Sequence, residues 1–443
     1  MARKKQAKTP EQLLGEALVP CEEQPYAVPD NWCWVRASAV LRPMETANLD
    51  GESFDYIDID AIDNKARAIR EVKTLPVEKA PSRAKRRVHD GDTLFSMVRP
   101  YLRNIAYVDS SHDDCVASTG FYVCSPNAVI DRRYLYHLLC SDYTVNGLTS
   151  FMKGDNSPSI KKGDFDAFPL PIPPLAEQRR IVERVEGLFA KLDEAEGAIQ
   201  NVHASARRRR VSLLHSAFTG ELSKSWREDR KLPDSSWKNK RFDEVATVKT
   251  NLVDPAKYLD MPHIAPDNIE RETGKLLGFN TVSIDGVTSG KHHFYPGQIL
   301  YSKIRPYLSK AIIANCEGLC SADMYPIDAE INAVYLWYYM LSQDFLVQTY
   351  DAGSRTVLPK INKKSLGAIR VPTPAIDEQE FIAEVLSKAI TKLNSTEEVL
   401  QITLKRIGEI KRAILSRALR GRLSTNKSSD VASKEMLLEL SKV

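Results

Sequence analysis

A tandem repeat with a period of about 200 residues most restricts how this chain of 443 residues can fold. The stretch Gly-Asp-Thr-Leu-Phe-Ser-Met-Val-Arg-Pro-Tyr-Leu at 91–102 returns as Gly-Gln-Ile-Leu-Tyr-Ser-Lys-Ile-Arg-Pro-Tyr-Leu at 297–308. The stretch Pro-Ile-Pro-Pro-Leu-Ala-Glu-Gln at 171–178 returns as Pro-Thr-Pro-Ala-Ile-Asp-Glu-Gln at 372–379. Solenoid repeats are far shorter, at about 20–50 residues, so they are excluded. We therefore expect two copies of one globular domain.

Within each copy the sequence pattern changes at the proline cluster. Before it, short β-rich runs separated by Gly, Pro, Asp and Asn predict strands joined by turns. After it, apolar residues recur at alternating spacings of four and three, which is the heptad pattern of a coiled coil. The first seam comprises Ile181, Val185, Leu188, Leu192, Ala195, Ile199 and Val202, and the second Ile382, Leu386, Ala389, Leu393, Thr396, Leu400, Thr403, Ile407, Ile410 and Ile414.

These patterns predict an α+β fold with two tandem globular domains and two long helices. A helix of about 40 residues is a rod of ~60 Å, and we expect the two rods to form one intramolecular antiparallel coiled coil. In the alternative, each helix folds back on its own domain. The predicted boundaries are an N-terminal extension at 1–24, domains at 25–172 and 223–373, helices at 173–222 and 374–423, and a tail at 424–443.

Composition excludes several classes of protein. Hydrophobic residues make up 43% of the chain, enough for packed cores. No apolar run is long enough to cross a membrane, and the basic start at 1–8 leads into no signal-peptide core. The seven cysteines form no Cys-x-x-Cys pair, so we expect reduced thiols, no zinc site and a cytoplasmic protein. The 62 basic and 58 acidic residues leave a net charge of +4, so any contact with DNA must be local.

The sequence shows no catalytic or metal site. The Gly-rich loops that bind dinucleotides or nucleoside triphosphates are missing, as is the Asn-Pro-Pro-aromatic motif of amino-methyltransferases. Pro29-Asp30 with Glu71 and Lys73 imitates a nuclease core only loosely, and the second copy, with Pro233-Asp234, has no matching Glu-x-Lys. We interpret His292-His293 as histidines of a solvent-exposed turn and expect no metal.

Local basic motifs are the candidates for binding DNA. Each repeat places an Arg-Pro-Tyr triplet after a strand-like run, where Arg can reach a phosphate or guanine and Tyr can stack. The alternative is an Arg paired with a carboxylate and a Tyr in the core. Polar loops at 154–160 and 353–359 precede lysines, which are either DNA contacts or solvated charges. The candidate residues are Arg99, Tyr101, Lys161, Lys162, Arg305, Tyr307, Lys360, Lys363 and Lys364.

Two further basic clusters stand at 83–87 and 207–210. Between 206 and 241, eleven basic residues face only four acidic ones, near the junction of the two copies. This charge suits either DNA phosphates or an acidic partner subunit.

Two divergent α+β domains, each followed by a Pro-x-Pro-x-Leu/Ile-x-Glu-Gln helix start, resemble the specificity subunit of type I restriction–modification enzymes. The resemblance covers nearly the whole chain after about residue 25. It implies a non-catalytic subunit whose domains each read one half of a bipartite site in double-stranded DNA. It also implies that the helix pair sets the spacer and docks two modification (methyltransferase) subunits. S-adenosylmethionine, ATP and Mg²⁺ are expected on these and on the restriction/translocase subunits.

Two other hypotheses remain open at this stage. Duplicated domains also suit a scaffold that binds proteins or RNA. A nuclease or methyltransferase fused to its own reader is the third possibility, and it predicts activity of the purified chain alone.

Overall fold

The computed structural model describes residues 9–233, 236–351 and 359–442. The chain divides into two compact units: unit 1 comprises Met1–Gly197 and Thr403–Val443, and unit 2 comprises Ala198–Ile402. Each unit is built from strands and helices, as the mixed fold class predicted. The basic run at 1–8, Asp234 of the second Pro-Asp pair and most of the predicted loop at 353–359 lie outside the described residues.

Two helices of more than 40 residues, α5 and α11, exceed all others in the described ranges. Neither these nor the shorter helices described are long and apolar enough to cross a membrane. The helices are α1 Pro10–Ala17, α2 Arg132–Leu139, α3 Asp142–Thr149, α4 Lys162–Asp166, α5 Leu175–Phe218, α6 Lys224–Asp229, α7 Val282–Asp285, α8 Ala333–Met340, α9 Gln343–Asp351, α10 Lys363–Gly367, α11 Ile376–Ala418 and α12 Ser433–Leu440.

The strands are short and divide evenly between the units. Unit 1 contains β1 Cys33–Arg36, β2 Ser53–Ile57, β3 Ile62–Asp63, β4 Ala68–Ile69, β5 Lys73–Pro76, β6 Ala84–Arg87, β7 Thr93–Ser96, β8 Ile105–Tyr107, β9 Val116–Ser118, β10 Phe121–Cys124 and β11 Pro169–Ile172. Unit 2 contains β12 Lys238–Arg241, β13 Ala246–Val248, β14 Leu252–Val253, β15 Pro262–Ile264, β16 Asn280–Thr281, β17 Lys291–Phe294, β18 Ile299–Ser302, β19 Ala311–Ile313, β20 Gly318–Cys320, β21 Met324–Ala329 and β22 Arg370–Thr373.

The two units repeat one sheet plan with variations. In unit 1 the sheets have the orders β10-β7-β8 and β5-β2-β9-β6, and β3-β4 is a separate hairpin. In unit 2 the orders are β13-β21-β18-β19 and β14-β17-β20-β15-β16. The repeated motif supplies β7 and β18, each an interior strand of its sheet. An antiparallel pair, β1-β11 or β12-β22, leads into each long helix.

The interpretation of His292-His293 as a solvent-exposed turn is wrong. Both residues lie in β17, between β14 and β20 in the five-stranded sheet, and His292 is only 4% exposed. The four residues of the strand are enough to pair with both neighbours. Burial lowers the pKa of His292.

The Glu-Gln pair at the start of each long helix is buried and holds the helix against its domain. The Gln178 Oε1 accepts from the backbone N–H of Asp131 at 2.6 Å, and its Nε2 donates to the carbonyl of Pro173 at 2.8 Å. In unit 2, Gln379 makes the matching bonds to Asn332 and to the carbonyl of Pro374. A buried glutamine with both ends bonded fixes the orientation of the helix start.

The glutamate of the same motif accepts from a tryptophan in both units, buried in unit 1 and half-buried in unit 2. Trp32 Nε1 donates to Glu177 Oε2 at 2.8 Å, and Trp237 Nε1 donates to Glu378 Oε1 at 3.0 Å. Trp32 and Trp237 are therefore equivalent in the two units. This link between the opening of each domain and its long helix was not predicted from the sequence.

Each long helix is followed by a glycine with a left-handed backbone. The φ angles are +84° at Gly220 and +66° at Gly421. At the end of α5, the backbone N–H of Leu222 donates to the carbonyl of Ser216 at 2.9 Å. This hydrogen bond caps the last turn of the helix.

The two long helices run antiparallel within each unit. In unit 1, Ile181 and Val185 of α5 share a buried core with Leu415 of α11, while Lys411 bonds to Asp193 at 2.6 Å. Residues later in α5 thus meet residues earlier in α11. Unit 2 repeats this arrangement: Leu214 and Phe218 pack with Ile382 and Leu386, and Arg210 bonds to Glu397 at 2.9 Å.

Burial along the predicted seam is graded. Ile181, Val185, Ile382, Leu386 and Ile407 are buried, whereas Leu188, Leu192, Ile199, Leu393 and Leu400 are half-buried. Four positions of the seam, Ala195, Val202, Thr396 and Ile410, are exposed. A straight helix with 3.6 residues per turn drifts from a strict heptad, so a pattern extended from the ends eventually leaves the buried face.

The described parts of both termini belong to unit 1. Helix α1 packs against α12, and Leu14 and Leu18 pack on the core that contains Leu437. The tail also reaches the start of α5, since Asn426 Nδ2 donates to Glu177 Oε2 at 2.7 Å. The described residues of the predicted extension and tail, 9–24 and 424–442, are thus parts of a folded unit.

Candidate nucleic-acid interface

Both Arg-Pro-Tyr motifs form the same turn just after a strand. In unit 1, Arg99 has φ +47° and ψ +57° and precedes the 3₁₀ turn Pro100–Leu102. In unit 2, Arg305 has φ +48° and ψ +57° and precedes Pro306–Leu308. A left-handed backbone costs an L residue about 1–2 kcal/mol. Both copies therefore hold an arginine where glycine would be less strained, which is a feature often found at functional sites.

The turn and the lysine segment, which are far apart in sequence, lie together in both units. The backbone N–H of Arg99 donates to the carbonyl of Pro158, and that of Arg305 to the carbonyl of Pro359, each at 2.8 Å. A β-bridge between Ile304 and Lys360 in unit 2 has its counterpart between residues 98 and 159 in unit 1. The backbone thus brings each arginine turn next to the start of its lysine segment.

The side chains of the turn do not adopt the alternative, purely structural arrangement. Tyr101 is 47% exposed and Tyr307 is 40% exposed, so neither tyrosine is in a core. Arg99 Nη2 donates to the main-chain carbonyl of Asn156 at 2.8 Å. Within the described residues, neither Arg99 nor Arg305 pairs with a carboxylate. Both guanidinium groups therefore keep a net charge that a phosphate can use.

We had expected the lysines to lie in loops. Instead, each lysine segment begins a short helix. Lys162 opens α4 after Lys161, and Lys363 and Lys364 open α10. Lys360 instead lies in the β-bridge to the turn. The helices form because Asp164 and Asn362 bond to the free N–H groups of the first turn.

Three of the five lysines have partners inside their own unit. Lys162 pairs with Asp166, Lys360 Nζ lies 3.1 Å from Asp323, and Lys363 Nζ donates to the carbonyl of Val248 at 2.9 Å. Lys161 and Lys364 are exposed, and in the part of the chain that the structure describes neither makes an ion pair. These two ammonium groups are the most available to a ligand.

An exposed aromatic side chain lies on, or just after, the helix that packs against each turn. Helix α3 packs against Pro100–Leu102 and is followed by the exposed Phe151, and α9 packs against Pro306–Leu308 and carries the exposed Tyr350. Each turn thus combines cations with exposed rings. This combination is typical of surfaces that contact both phosphates and bases.

The other basic clusters divide into an exposed one and a paired one. Strand β6 is the edge of its sheet, and Arg83 and Lys85 beside and within it are exposed. In the 207–210 cluster, Arg207 Nη2 lies 2.7 Å from Glu272, and Arg210 is buried against Asn394 and Glu397. The cluster at 207–210 therefore serves the structure of unit 2 in part.

One group of possible metal ligands lies together among the described residues. His89, Asp113 and Asp114 place ligand atoms within 4.8 Å of one another at the surface. These atoms already have protein partners: Arg87 Nη2 lies 2.7 Å from Asp114, and His89 Nε2 lies 3.2 Å from Glu45. Exposed groups satisfied in this way give no reason to assign a metal site.

Comparison of the two repeats did not identify Arg103, the residue after the first turn, as part of the candidate interface. Arg103 is left-handed at φ +58°, donates to the carbonyl of Cys140 at 3.3 Å and pairs with Asp142. The second copy has Ser309 at this position, also left-handed at φ +45°. Because the residue type differs, the repeat carries no signal for Arg103, although the backbone is the same.

Comparison with known proteins agrees with this duplicated architecture. The family model described as "Type I restriction modification DNA specificity domain" matches twice, at residues 46–202 and 234–406. The EcoDI type I restriction enzyme specificity subunit of Escherichia coli is 37% identical over 324 residues, covering 68% of this chain and 72% of the relative. A putative type I specificity subunit of Methanocaldococcus jannaschii, MjaX, is 22% identical and covers 89% of this chain and 94% of its own length.

Two solved structures are similar in fold. A chain from a study of complex assembly and conformational transition of the type I R-M system has a TM-score of 0.74 at 26% identity, covering 90% of this chain and 100% of its own. The HsdS subunit from Thermoanaerobacter tengcongensis has a TM-score of 0.54 at 26% identity, with the same coverage. Given two family matches over most of its length, the chain belongs to the family of type I restriction–modification DNA specificity subunits.

Proposed function

We propose that this chain is the DNA-recognition subunit of a type I restriction–modification complex and has no catalytic activity of its own. Its membership of the specificity family and the specificity subunits among its relatives support this role over a scaffold for proteins or RNA. The observation that carries the proposal is the strained arginine turn with its exposed tyrosine, built twice and each time joined to a lysine segment.

Each unit reads one half of a bipartite site in double-stranded DNA. Arg99, Tyr101 and Lys161 act in the first unit, and Arg305, Tyr307 and Lys364 act in the second. The major groove presents a distinct pattern of donors and acceptors for every base pair, so it is the groove that a guanidinium beside a rigid turn is suited to read. The remaining candidates, Lys162, Lys360 and Lys363, support the same surface through their bonds to the protein.

The long helices set the length of the unread spacer between the half-sites. A helix of 44 residues is about 66 Å long, which corresponds to about two turns of B-DNA. We propose that the antiparallel pairing seen within each unit continues along both helices as one coiled coil. The recognition domains at 25–172 and 223–373 then present similar faces, to which two modification subunits dock.

The chemistry of the complex resides on other subunits. S-adenosylmethionine belongs to the modification subunits, which transfer the methyl group, and ATP and Mg²⁺ belong to the restriction/translocase subunits. The chain contributes the choice of sequence, and it acts in the cytoplasm, where these partners meet DNA.

Half-site variants test this proposal. The full chain, assembled with its modification subunits, selects duplexes from a random pool in the presence of S-adenosylmethionine. In the first variant Tyr101→Ala is combined with Lys161→Gln, and in the second Tyr307→Ala is combined with Lys364→Gln. All four side chains are exposed, so both variants are expected to fold.

We expect each variant to relax one half of the selected motif and leave the other half intact. The two variants control for each other because they alter equivalent positions of the two units. The proposal is contradicted if the wild-type complex selects one undivided motif. It is also contradicted if neither variant changes either half of the selected motif. A wild-type complex that enriches no sequence also contradicts it.

A further inference from the structure

Unit 1 contains an open cleft of about 600 Å³ beside its arginine turn. One wall is the tip of the β3-β4 hairpin, and the other is the helix pair, where 186–193 of α5 face 408–415 of α11. Arg103, Arg133 and Asp142 close the end of the cleft that lies towards the turn. Apart from Arg103, which ends the arginine turn, none of these residues belongs to the recognition elements described above.

The lining of the cleft has an excess of positive charge. Six cationic side chains face three carboxylates, which leaves a surplus of three charges. The cations are Lys65, Arg67, Arg103, Arg133, Lys411 and Arg412, and the carboxylates are Asp142, Glu186 and Asp193.

The carboxylates are already used by cations at the base of the cleft. Glu186 lies 2.7 Å from Arg133 and also accepts from His137, and these contacts hold the pKa of Glu186 at about 2. Asp193 pairs with Lys411 and Asp142 with Arg103. The base of the cleft is thus neutral, and its surplus charge lies elsewhere.

The surplus is carried by three side chains, of which Lys65 and Arg412 are exposed, whereas Arg67 is half-buried and its side chain reaches Cys140. Arg412 is exposed and lies 3.7 Å from Asp142, a distance too long for a hydrogen bond. Lys65 and Arg67 stand on the hairpin tip and have no carboxylate partner among the described residues. Two hydrogen bonds to Asp63 Oδ1, from the N–H groups of Lys65 and Ala66 at 2.9 Å each, order this tip. The charges are therefore held in place above the helices.

Unit 2 has an equivalent cleft that is electrically balanced. Its volume is about 430 Å³, and its lining includes four cations and four carboxylates on the 270–275 hairpin and the helices. There Arg207 of α5 closes onto Glu272 of the hairpin at 2.7 Å, and Arg210 bonds to Glu397 at 2.9 Å. The fold therefore does not require surplus charge at this place, and unit 1 carries it for another reason.

We propose that the cleft of unit 1 binds backbone phosphates of the DNA next to the half-site that the Arg99 turn reads. This proposal rests on the proposed function. Arg103 continues directly from the turn into the cleft, so a strand that contacts Tyr101 lies close to the cleft mouth. Guanidinium groups match phosphate oxygens with two parallel hydrogen bonds, and two of the three surplus cations are arginines. Contacts of this kind add affinity without sequence preference.

The test removes two of the surplus charges and measures how DNA affinity depends on salt. In the test variant, Lys65→Gln is combined with Arg67→Asn, because asparagine tolerates the left-handed backbone that Arg67 adopts at φ +53°. In the control variant, Arg271→Gln is combined with Lys275→Gln on the balanced hairpin of unit 2. Both variants are assembled with the modification subunits. Each is titrated with the duplex that the wild type selects and with a scrambled duplex, over a series of salt concentrations.

We expect the test variant to bind both duplexes more weakly and to keep the wild-type ratio between them. Loss of two phosphate contacts lowers the slope of log K against log salt by about 1.8, whereas the control keeps the wild-type slope. Normal sequence selection with an unchanged slope in the test variant overturns this inference and leaves the proposed function intact. Loss of modification subunits from the test variant at an unchanged slope overturns it too, because the cleft then holds an acidic protein segment. A wild type that selects no sequence refutes the proposed function itself.

Discussion

Replacing the left-handed arginines is expected to weaken DNA binding, and glycine is expected to leave the turns more stable than alanine does. Arg99 and Arg305 combine a strained backbone with a charged group that meets no carboxylate among the described residues. A residue kept for structure alone would be improved by glycine at no functional cost. Alanine is the matched comparison, because it removes the guanidinium and keeps the Cβ that causes the strain.

The size of the effect follows from the backbone angles. The left-handed region costs an alanine about 1–2 kcal/mol, and the extra freedom of glycine in the unfolded chain returns about 0.5–1 kcal/mol of this. Glycine should therefore be more stable than alanine by up to about 1.5 kcal/mol at each turn. The hydrogen bond from Arg99 to the carbonyl of Asn156 is lost in both variants, so it cancels.

The stability of each turn is measured locally, because a chain of two units need not unfold in one step. In the first turn, Leu102 and Arg103 donate their N–H groups to the carbonyls of Arg99 and Pro100 at 2.9 Å, and their hydrogen exchange reports the opening of the turn. DNA binding is measured on the assembled complex. Loss of one phosphate contact lowers the salt slope by about 0.9. Loss of a bidentate contact to guanine instead costs about 1–3 kcal/mol of discrimination at one base pair.

Two results would refute this reasoning. If alanine protects the turn better than glycine, the left-handed backbone is not a source of strain. If both variants bind DNA like the wild type, with the same slope and selectivity, the guanidinium groups do not contact DNA and serve the protein alone.

Three further outcomes are expected. Tyr134→Phe removes the hydrogen bond to the buried carbonyl of Pro171, at 2.8 Å, and should destabilise unit 1 by about 1–3 kcal/mol. Hydrogen exchange of α2 measures this loss, and an unchanged exchange rate would contradict it. Gly318→Ala places a Cβ only 2.5 Å from the carbonyl oxygen of Pro262 and should cost unit 2 about 1–3 kcal/mol, seen in the exchange of β20 but not of unit 1. Because the pKa of Glu186 is lowered from its ordinary 4.5 to about 2, its stabilising contribution is complete above pH 4.5 and is lost as the pH falls towards 2. Glu186→Gln should flatten the acid branch of the stability curve of unit 1 in that interval, and an equally steep curve would exclude the ion pair as its cause.

The sequence predicted what is repeated or periodic. The duplication, the strand before each Arg-Pro-Tyr triplet and the start of each helix at Glu-Gln follow from local patterns, and the structure has them. The glycine stops at 220 and 421 follow from the need for a left-handed backbone.

Contacts that depend on tertiary structure were not predictable in this way. The bond from Trp32 to Glu177 joins residues that are far apart in sequence, so no local pattern predicts it. His292 lies in a strand because two neighbours pair with that strand, which no local propensity records. The cleft of unit 1 has no repeat signal either, since its counterpart in unit 2 carries different charges.

The discontinuity of unit 1 has a consequence for the order in which the chain matures on the ribosome. Unit 2 is one continuous segment, Ala198–Ile402, so all of it has been synthesised before the last 41 residues, Thr403–Val443, are made. Unit 1 begins first but is completed only when Asn426 reaches Glu177 and Leu437 joins its core. The half that is translated second can thus finish folding first. A nascent chain that stops before residue 426 would leave Glu177, at the start of α5, without the hydrogen bond from Asn426, so the first reader is completed late.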